Sequence, residues 1–151
     1  MQLEPNGQSG IPAFTRKKGL LVGLLLGYSF VMFGLSSMTG QELPEPFFEN
    51  QDKLEHMFAY GVMAVVAWSV LRQWTVLRHC WLWAWVYAVV YGVTDEWHQL
   101  FVPGRYGDLF DLLADAVGAA LAIAMLEFLR TRRGSRLLLV CPRSVRASSV
   151  P

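Results

Sequence analysis

Four long apolar stretches alternate with short polar ones along the chain. The first, Gly19 to Met38, runs about 20 residues without a charge, which as a helix is long enough to cross a hydrocarbon core. The second, Lys53 to Trp74, is polar only at its start. The third, Cys80 to Phe101, is apolar until Asp95, and the fourth runs from Asp108 to Leu129. All four are too long for strands, so the pattern predicts an all-α protein, an integral membrane four-helix bundle. Thr39 to Gln51, with Pro44, Pro46 and three glutamates, reads as an acidic loop. Thr75 to His79 is a short basic turn. Val102 to Gly107 is a tight turn, in which Pro103 sets φ and Gly104 permits positive φ. The organisation expected is a loose polar leader over residues 1–15, a transmembrane domain over 16–130 and a basic, disordered cytoplasmic tail over 131–151.

The first stretch is longer than the roughly 7–15 apolar residues of a cleaved signal, and no A-x-A site follows it. It is therefore expected to stay as a helix. Lysine and arginine then set the orientation. With the N-terminus inside, eleven of the thirteen fall on the inner side and only Lys53 and Arg105 on the outer. That asymmetry places both termini in the cytoplasm and makes the protein multi-pass. Composition agrees: charged residues are 17%, against roughly 25% in a soluble domain. A net charge of +1 gives no reason to expect a nucleic-acid partner. Cys80 and Cys141 both fall on the expected cytoplasmic side, where thiols stay reduced, so no disulfide is expected.

The polar residues inside the apolar stretches are the informative ones. Asp52-Lys53-Leu54-Glu55-His56, Asp95-Glu96-Trp97-His98-Gln99, and Asp108, Asp111 and Asp115 all lie at one end of their segments. Ionisable groups at membrane depth are expensive and face one another or a wet cavity. If the segments alternate in direction, these groups meet at one outer mouth. Asp52, His56 and Tyr60 are spaced to share a helix face, as are Asp108, Asp111 and Asp115, and as are Tyr91, Asp95 and His98. The turn at 102–107 carries Arg105 close to the carboxylates of both flanking helices. Gly118 and Ala122 continue the Asp111–Asp115 face, so the aspartates are expected to point inward. Gly19, Gly23 and Gly27 repeat every fourth residue and predict a close helix crossing for the first segment.

Three chemistries suit this set. The preferred one is recognition of an anionic or hydroxyl-rich head group, with Arg105 forked onto the anion. The second is a divalent metal, with His56 and His98 beside Glu96, Asp111 or Asp115, but no motif such as HExxH backs it and neither metal nor cofactor is expected. The third is acid–base hydrolysis, with one carboxylate holding a proton beside another. No Ser, Cys or Thr stands in a nucleophile motif, so the reading leans away from an enzyme. A structural role is the remaining alternative: Arg105 pairs with Glu96 or Asp111 to lock the turn, and Asp108 caps the fourth helix.

The same residues carry a resemblance. Asp52-Lys53-Leu-Glu-His56-Met-Phe-Ala-Tyr60 resembles the D-K-x-x-H-x-x-x-Y start of the VanZ-like membrane proteins. Thr94-Asp95-Glu96-Trp-His98-Gln99-Leu-Phe-Val-Pro103-Gly104-Arg105 is similar to that family's D-E-x-x-Q-x-x-x-P-x-R signature, and Asp111 with Gly118 matches its closing D-x-x-x-N-x-x-G. Asp115 stands where that pattern often has Asn, which adds a charge. The resemblance covers about residues 20–130. It implies a bacterial cell-envelope role, in a family named for a teicoplanin-resistance component of glycopeptide-antibiotic clusters and linked to no established reaction. The site expected is Asp52, Lys53, His56, Tyr60, Asp95, Glu96, His98, Gln99, Arg105, Asp111 and Asp115, with Pro103 and Gly104 in the turn. Membrane lipids, a lipid-linked envelope precursor or another membrane protein are the partners expected. An enzyme acting on an envelope lipid or glycan, and a purely structural partner, are the rivals.

Overall fold

A computed structural model describes residues 13–74 and 79–132. The described residues form four helices and no strand: α1 (Ala13–Ser36), α2 (Gln51–Leu71), α3 (Cys80–Gln99) and α4 (Leu109–Arg132). α1 begins three residues inside the segment read as a leader, and α4 runs two residues past position 130. The rest of the leader, residues 1–12, and the tail from 133 on lie outside the described residues. By length and composition α1, α2 and α4 can cross a membrane, over Arg16–Ser36, Gln51–Leu71 and Leu109–Arg130. α3, at 20 residues, has the length of a span but not the apolarity. Asp95, Glu96 and His98 occupy its last turns and four tryptophans lower its hydropathy, so the fourth expected crossing is the one that composition alone does not carry.

α2 is the hub, packed on α4, α3 and α1, while α1 touches α2 and α3 but not α4. The α2–α4 crossing is close because glycines face it. A Cβ built on Gly118 would collide with the Met57 carbonyl, and one on Gly61 would lie 3.2 Å from the Gly118 oxygen. Backbone contact of this kind is how helices associate where no hydrophobic effect drives them together. Below the crossing, Tyr60, Met63, Ala64 and Ala67 of α2 meet Ala84 and Ala88 of α3 and Ala119 and Ile123 of α4 in the buried core. Large apolar side chains such as Leu24, Phe30, Phe58, Val90, Leu121 and Met125 are exposed around the outside, as befits a surface solvated by lipid.

α1 attaches through hydroxyls. Tyr28 donates to the Ala59 carbonyl (2.9 Å), Tyr91 donates to the Ser29 carbonyl (2.5 Å), and the Ser29 and Tyr87 hydroxyls pair at 3.0 Å. Gly19, Gly23 and Gly27 have nothing within 4 Å of a built Cβ, so among the described residues their stripe does not make the crossing expected of it. The side of α1 that docks is fixed by Tyr28 and Ser29, and the glycines fall away from it.

At the end of the bundle away from the acidic clusters, the guanidinium groups of Arg72 and Arg130 lie 4.3 and 4.7 Å from the Trp68 ring. Cys80, buried at the start of α3, is disulfide-bonded, against the expectation of two reduced thiols. The chain's other cysteine, Cys141, lies outside the described residues.

Candidate functional site

The polar ends of α2, α3 and α4 come together, as their spacing predicted, and form two linked clusters. Four features hold the frame. The 102–105 turn closes with the Arg105 N–H donating to the Val102 carbonyl (3.1 Å), Pro103 in second place and Gly104 at φ 75° in third, a type II arrangement. The loop after α1 docks on it: the Gly40 N–H donates to the Pro103 carbonyl at 3.1 Å, and a Cβ at Gly40 would strike the Gly104 carbonyl. Asp108 then starts α4 by accepting the Phe110 N–H at 2.8 Å, the capping role expected of it. Glu96 of α3 in turn accepts the Asp108 N–H at 2.7 Å, tying the end of α3 to the start of α4.

The outer cluster is built around Lys53. Its Nζ lies 2.6 Å from Asp111, 2.7 Å from Asp108 and 3.0 Å from Asp52. Asp111 is largely buried while Asp52 is exposed. One cation on α2 thus neutralises carboxylates on both α2 and α4. Just ahead of the α4 span, the carboxyl of Asp108 is held below the ordinary aspartate range by its bond to Lys53 and by the Phe110 N–H.

The inner cluster sits one helical turn deeper. His56 Nδ1 lies 2.9 Å from Asp115 Oδ1, and Asp115 is fully buried. Tyr60, stacked on His56 at 5.9 Å between centroids, donates to Asp95 at 2.9 Å. Gly92 makes room here, since a Cβ at that position would lie 2.6 Å from Asp115 Oδ2. Two buried oxygens are left without a hydrogen-bond partner, Glu96 Oε1 and Asp115 Oδ2. His56, Glu96 and Asp115, one from each of α2, α3 and α4, each place a ligand-capable atom within 4.8 Å of the other two.

His98 is drawn elsewhere. Its Nε2 lies 3.0 Å from Ser37 Oγ and its ring packs, tilted, against Phe33 with centroids 4.6 Å apart, both on or beside α1. Three residues beyond Asp95, its side chain is swung about 60° round the helix from that aspartate, enough to face α1 rather than α2 and α4. Arg105 also departs from expectation. Glu96 is engaged by the Asp108 N–H and Asp111 by Lys53, so neither pairs with Arg105. Its Nε donates instead to the buried Gln99 amide oxygen at 3.3 Å.

Two cavities open beside these clusters. One, of 370 Å³, is bordered by Ser36, Glu55, His56, Asp95, Gln99 and Arg105. The other, of 590 Å³, is bordered by Asp52, Glu55, His56 and Arg105 together with loop residues including Pro44 and Pro46. Ser36, whose buried hydroxyl has no partner, was not signalled by the sequence; a serine at the end of an apolar helix looks like any other helix-end residue.

A family model, VanZ/LLP1, matches residues 20–130, most of the chain and every helix that contributes to these clusters. The chain belongs to the VanZ/LLP1 family. Neither the curated proteins nor the solved structures contain a match to it. Within this VanZ-family protein, the D-K-x-x-H-x-x-x-Y stretch therefore supplies Lys53 to the outer cluster and His56 and Tyr60 to the inner one. The D-E-x-x-Q-x-x-x-P-x-R stretch supplies Asp95 and Glu96 to the inner cluster, and Gln99 and Arg105 to the cavity wall. Asp115, where Asn was the expected residue, is the most buried carboxylate among the described residues.

Proposed function

We propose that this VanZ-family membrane protein binds an anionic or polar head group, of a lipid or of a lipid-linked cell-wall precursor, in the cavities bordered by Arg105. The observation that carries the reading is the contrast between two cations. Lys53 is consumed by three carboxylates, whereas Arg105 borders both cavities and makes no ion pair among the described residues. Gln99 fixes the guanidinium through Nε, and this leaves its terminal nitrogens to fork onto phosphate or carboxylate. The Ser36 hydroxyl, on the same wall, is a further donor. In this reading all four helices span a bacterial cytoplasmic membrane, both termini are cytoplasmic, and the cavities open on the outer leaflet. The role is in the cell envelope, and teicoplanin susceptibility is the phenotype to follow in the host.

The test is native mass spectrometry of the full chain released from vesicles that contain phosphatidylglycerol or a polyprenyl-pyrophosphate-linked sugar. Wild type retains one of these lipids. Arg105→Ala, still helical and membrane-inserted, retains it about 10- to 100-fold less well, the worth of a charge-assisted hydrogen bond. Equal retention by both proteins rejects the reading.

A further inference from the structure

We infer that His56, Glu96 and Asp115 form a divalent metal site with an open coordination position, behind the His56 wall of the cavities that Arg105 borders. This goes beyond head-group binding and does not require it.

The first ground is an unmet electrostatic need. Asp115 is fully buried, and its Oδ2 has no hydrogen-bond partner. Glu96 Oε1 is likewise buried and unpartnered. An unsatisfied carboxylate oxygen in a low-dielectric interior is costly, and more so beside another. Lys53 does not supply the missing charge, since its three contacts are Asp52, Asp108 and Asp111. Arg105 is turned to Gln99. Tyr60 is spent on Asp95. The inner cluster therefore holds more acceptors than the described donors satisfy.

The second ground is geometric. The three residues come from three different helices, yet one candidate ligand atom from each lies within 4.8 Å of the others. Two ligands about 2.1 Å from a tetrahedral ion stand about 3.4 Å apart, so a small inward movement of each side chain closes the set. His56 Nδ1 and Asp115 Oδ1 already stand 2.9 Å apart, so an ion between them takes the place of the shared proton. The second oxygen of Glu96 is held in place, since Oε2 takes the Asp108 N–H at 2.7 Å. Fixed carboxylates of this kind orient ligands toward a metal. Gly92 is needed for the same reason, because any side chain there would occupy the place of Asp115 Oδ2.

The third ground is chemical type. One imidazole and two carboxylates suit zinc, manganese or another borderline ion rather than calcium, which takes six to eight oxygens. Three protein ligands leave a position free, which is the hallmark of metal sites that meet a substrate or ligand. His56 borders both cavities, so an ion held here lies one side chain away from them. A cation here also offsets Glu55 and Asp95 on the cavity wall, where Arg105 is otherwise the sole permanent positive charge among the described residues.

The experiment uses the full chain in nanodiscs, stripped with chelator and titrated with Zn²⁺ by calorimetry and with Co²⁺ by its visible absorption. The expected result is one ion per chain and a Co²⁺ spectrum of low coordination number. His56→Ala, Glu96→Gln and Asp115→Asn each weaken binding at least 10- to 100-fold, the cost already seen for losing a mere supporting residue. Arg105→Ala does not weaken metal binding, so failure of head-group binding and failure of this site are separable. Gly92→Ala, which touches no ligand chemistry, weakens binding through Asp115. Two results overturn the proposal. One is helical, monodisperse wild type that takes up no ion at micromolar Zn²⁺ or Co²⁺, in which case a shared proton satisfies the carboxylates. The other is stoichiometric binding that survives all three ligand substitutions.

Discussion

Replacing Gly118 by alanine tests the crossing on which both clusters rest. The added Cβ would sit 2.6 Å from both the Cα and the carbonyl carbon of Met57. Carbon atoms prefer about 3.5–4.0 Å, so α2 must retreat by roughly 1 Å. The obstacle is backbone, which no change of rotamer can relieve. Overpacking a core costs about 1–3 kcal/mol, and a clash with main chain belongs at the upper end, near 3 kcal/mol. Met57 adjoins His56, and Gly118 lies one turn from Asp115, so the same retreat stretches the 2.9 Å contact between them. Gly23→Ala is the matched control. It has nothing within 4 Å, and alanine is favoured over glycine in a helix by about 1 kcal/mol. The assay is reversible unfolding of the purified protein in mixed micelles, followed by tryptophan fluorescence and circular dichroism. Gly118→Ala should lose about 3 kcal/mol, while Gly23→Ala should be neutral or slightly more stable. Equal stability of Gly118→Ala and wild type would refute the close α2–α4 contact, and a large loss in Gly23→Ala would show that α1 packs through its glycines.

Two further outcomes follow from the outer cluster. Lys53→Met strands Asp111, whose side chain is 10% exposed, without its cation; partial solvent access to the other carboxylates brings the cost to about 2 kcal/mol, below that of a fully buried pair. Adding Asp111→Asn should recover most of that loss in the same unfolding assay, and no recovery would mean that Lys53 acts through its packing alone. The Asp108 carboxyl is lowered in the folded protein by Lys53, so its stabilising contribution is present above its unfolded value near pH 4 and fades as pH falls through the lower folded value. Acid titration of stability should therefore fall less steeply below about pH 4 in Asp108→Asn than in wild type, and identical slopes would contradict the pairing.

Much of the architecture was legible because membrane helices announce themselves by length and apolarity, quantities that need no knowledge of neighbours. α1, α2 and α4 lie within a few residues of the stretches that predicted them. The inward face of α4 was legible too, since Asp111, Asp115, Gly118 and Ala122 recur at helical spacing, and Asp111, Asp115 and Gly118 are buried. α3 was recognisable as a helix, but its polarity is that of a site rather than of a lipid-facing span. The partners were the harder part. Arg105 lies close in sequence to both Glu96 and Asp111, yet bonds to Gln99, because a backbone N–H and an ammonium had already claimed those carboxylates. The glycine stripe on α1 failed as a packing signal for a related reason. Spacing describes what a helix face permits, while Tyr28 and Ser29 decided which face is used.

Local chemistry by itself determined that the chain is helical, that its apolar stretches suit a bilayer, and that its ionisable groups gather at one end of those stretches. Hydropathy and periodicity are sums over neighbours in the chain, and they survive without a fold. Only the tertiary structure decided that Lys53 is spent while Arg105 is not, that His98 turns toward α1, and that His56, Glu96 and Asp115 converge on two unpartnered oxygens. Each of those outcomes is a competition among donors and acceptors on different helices. Its winner is set by distances of a few tenths of an ångström that come into being when the helices pack.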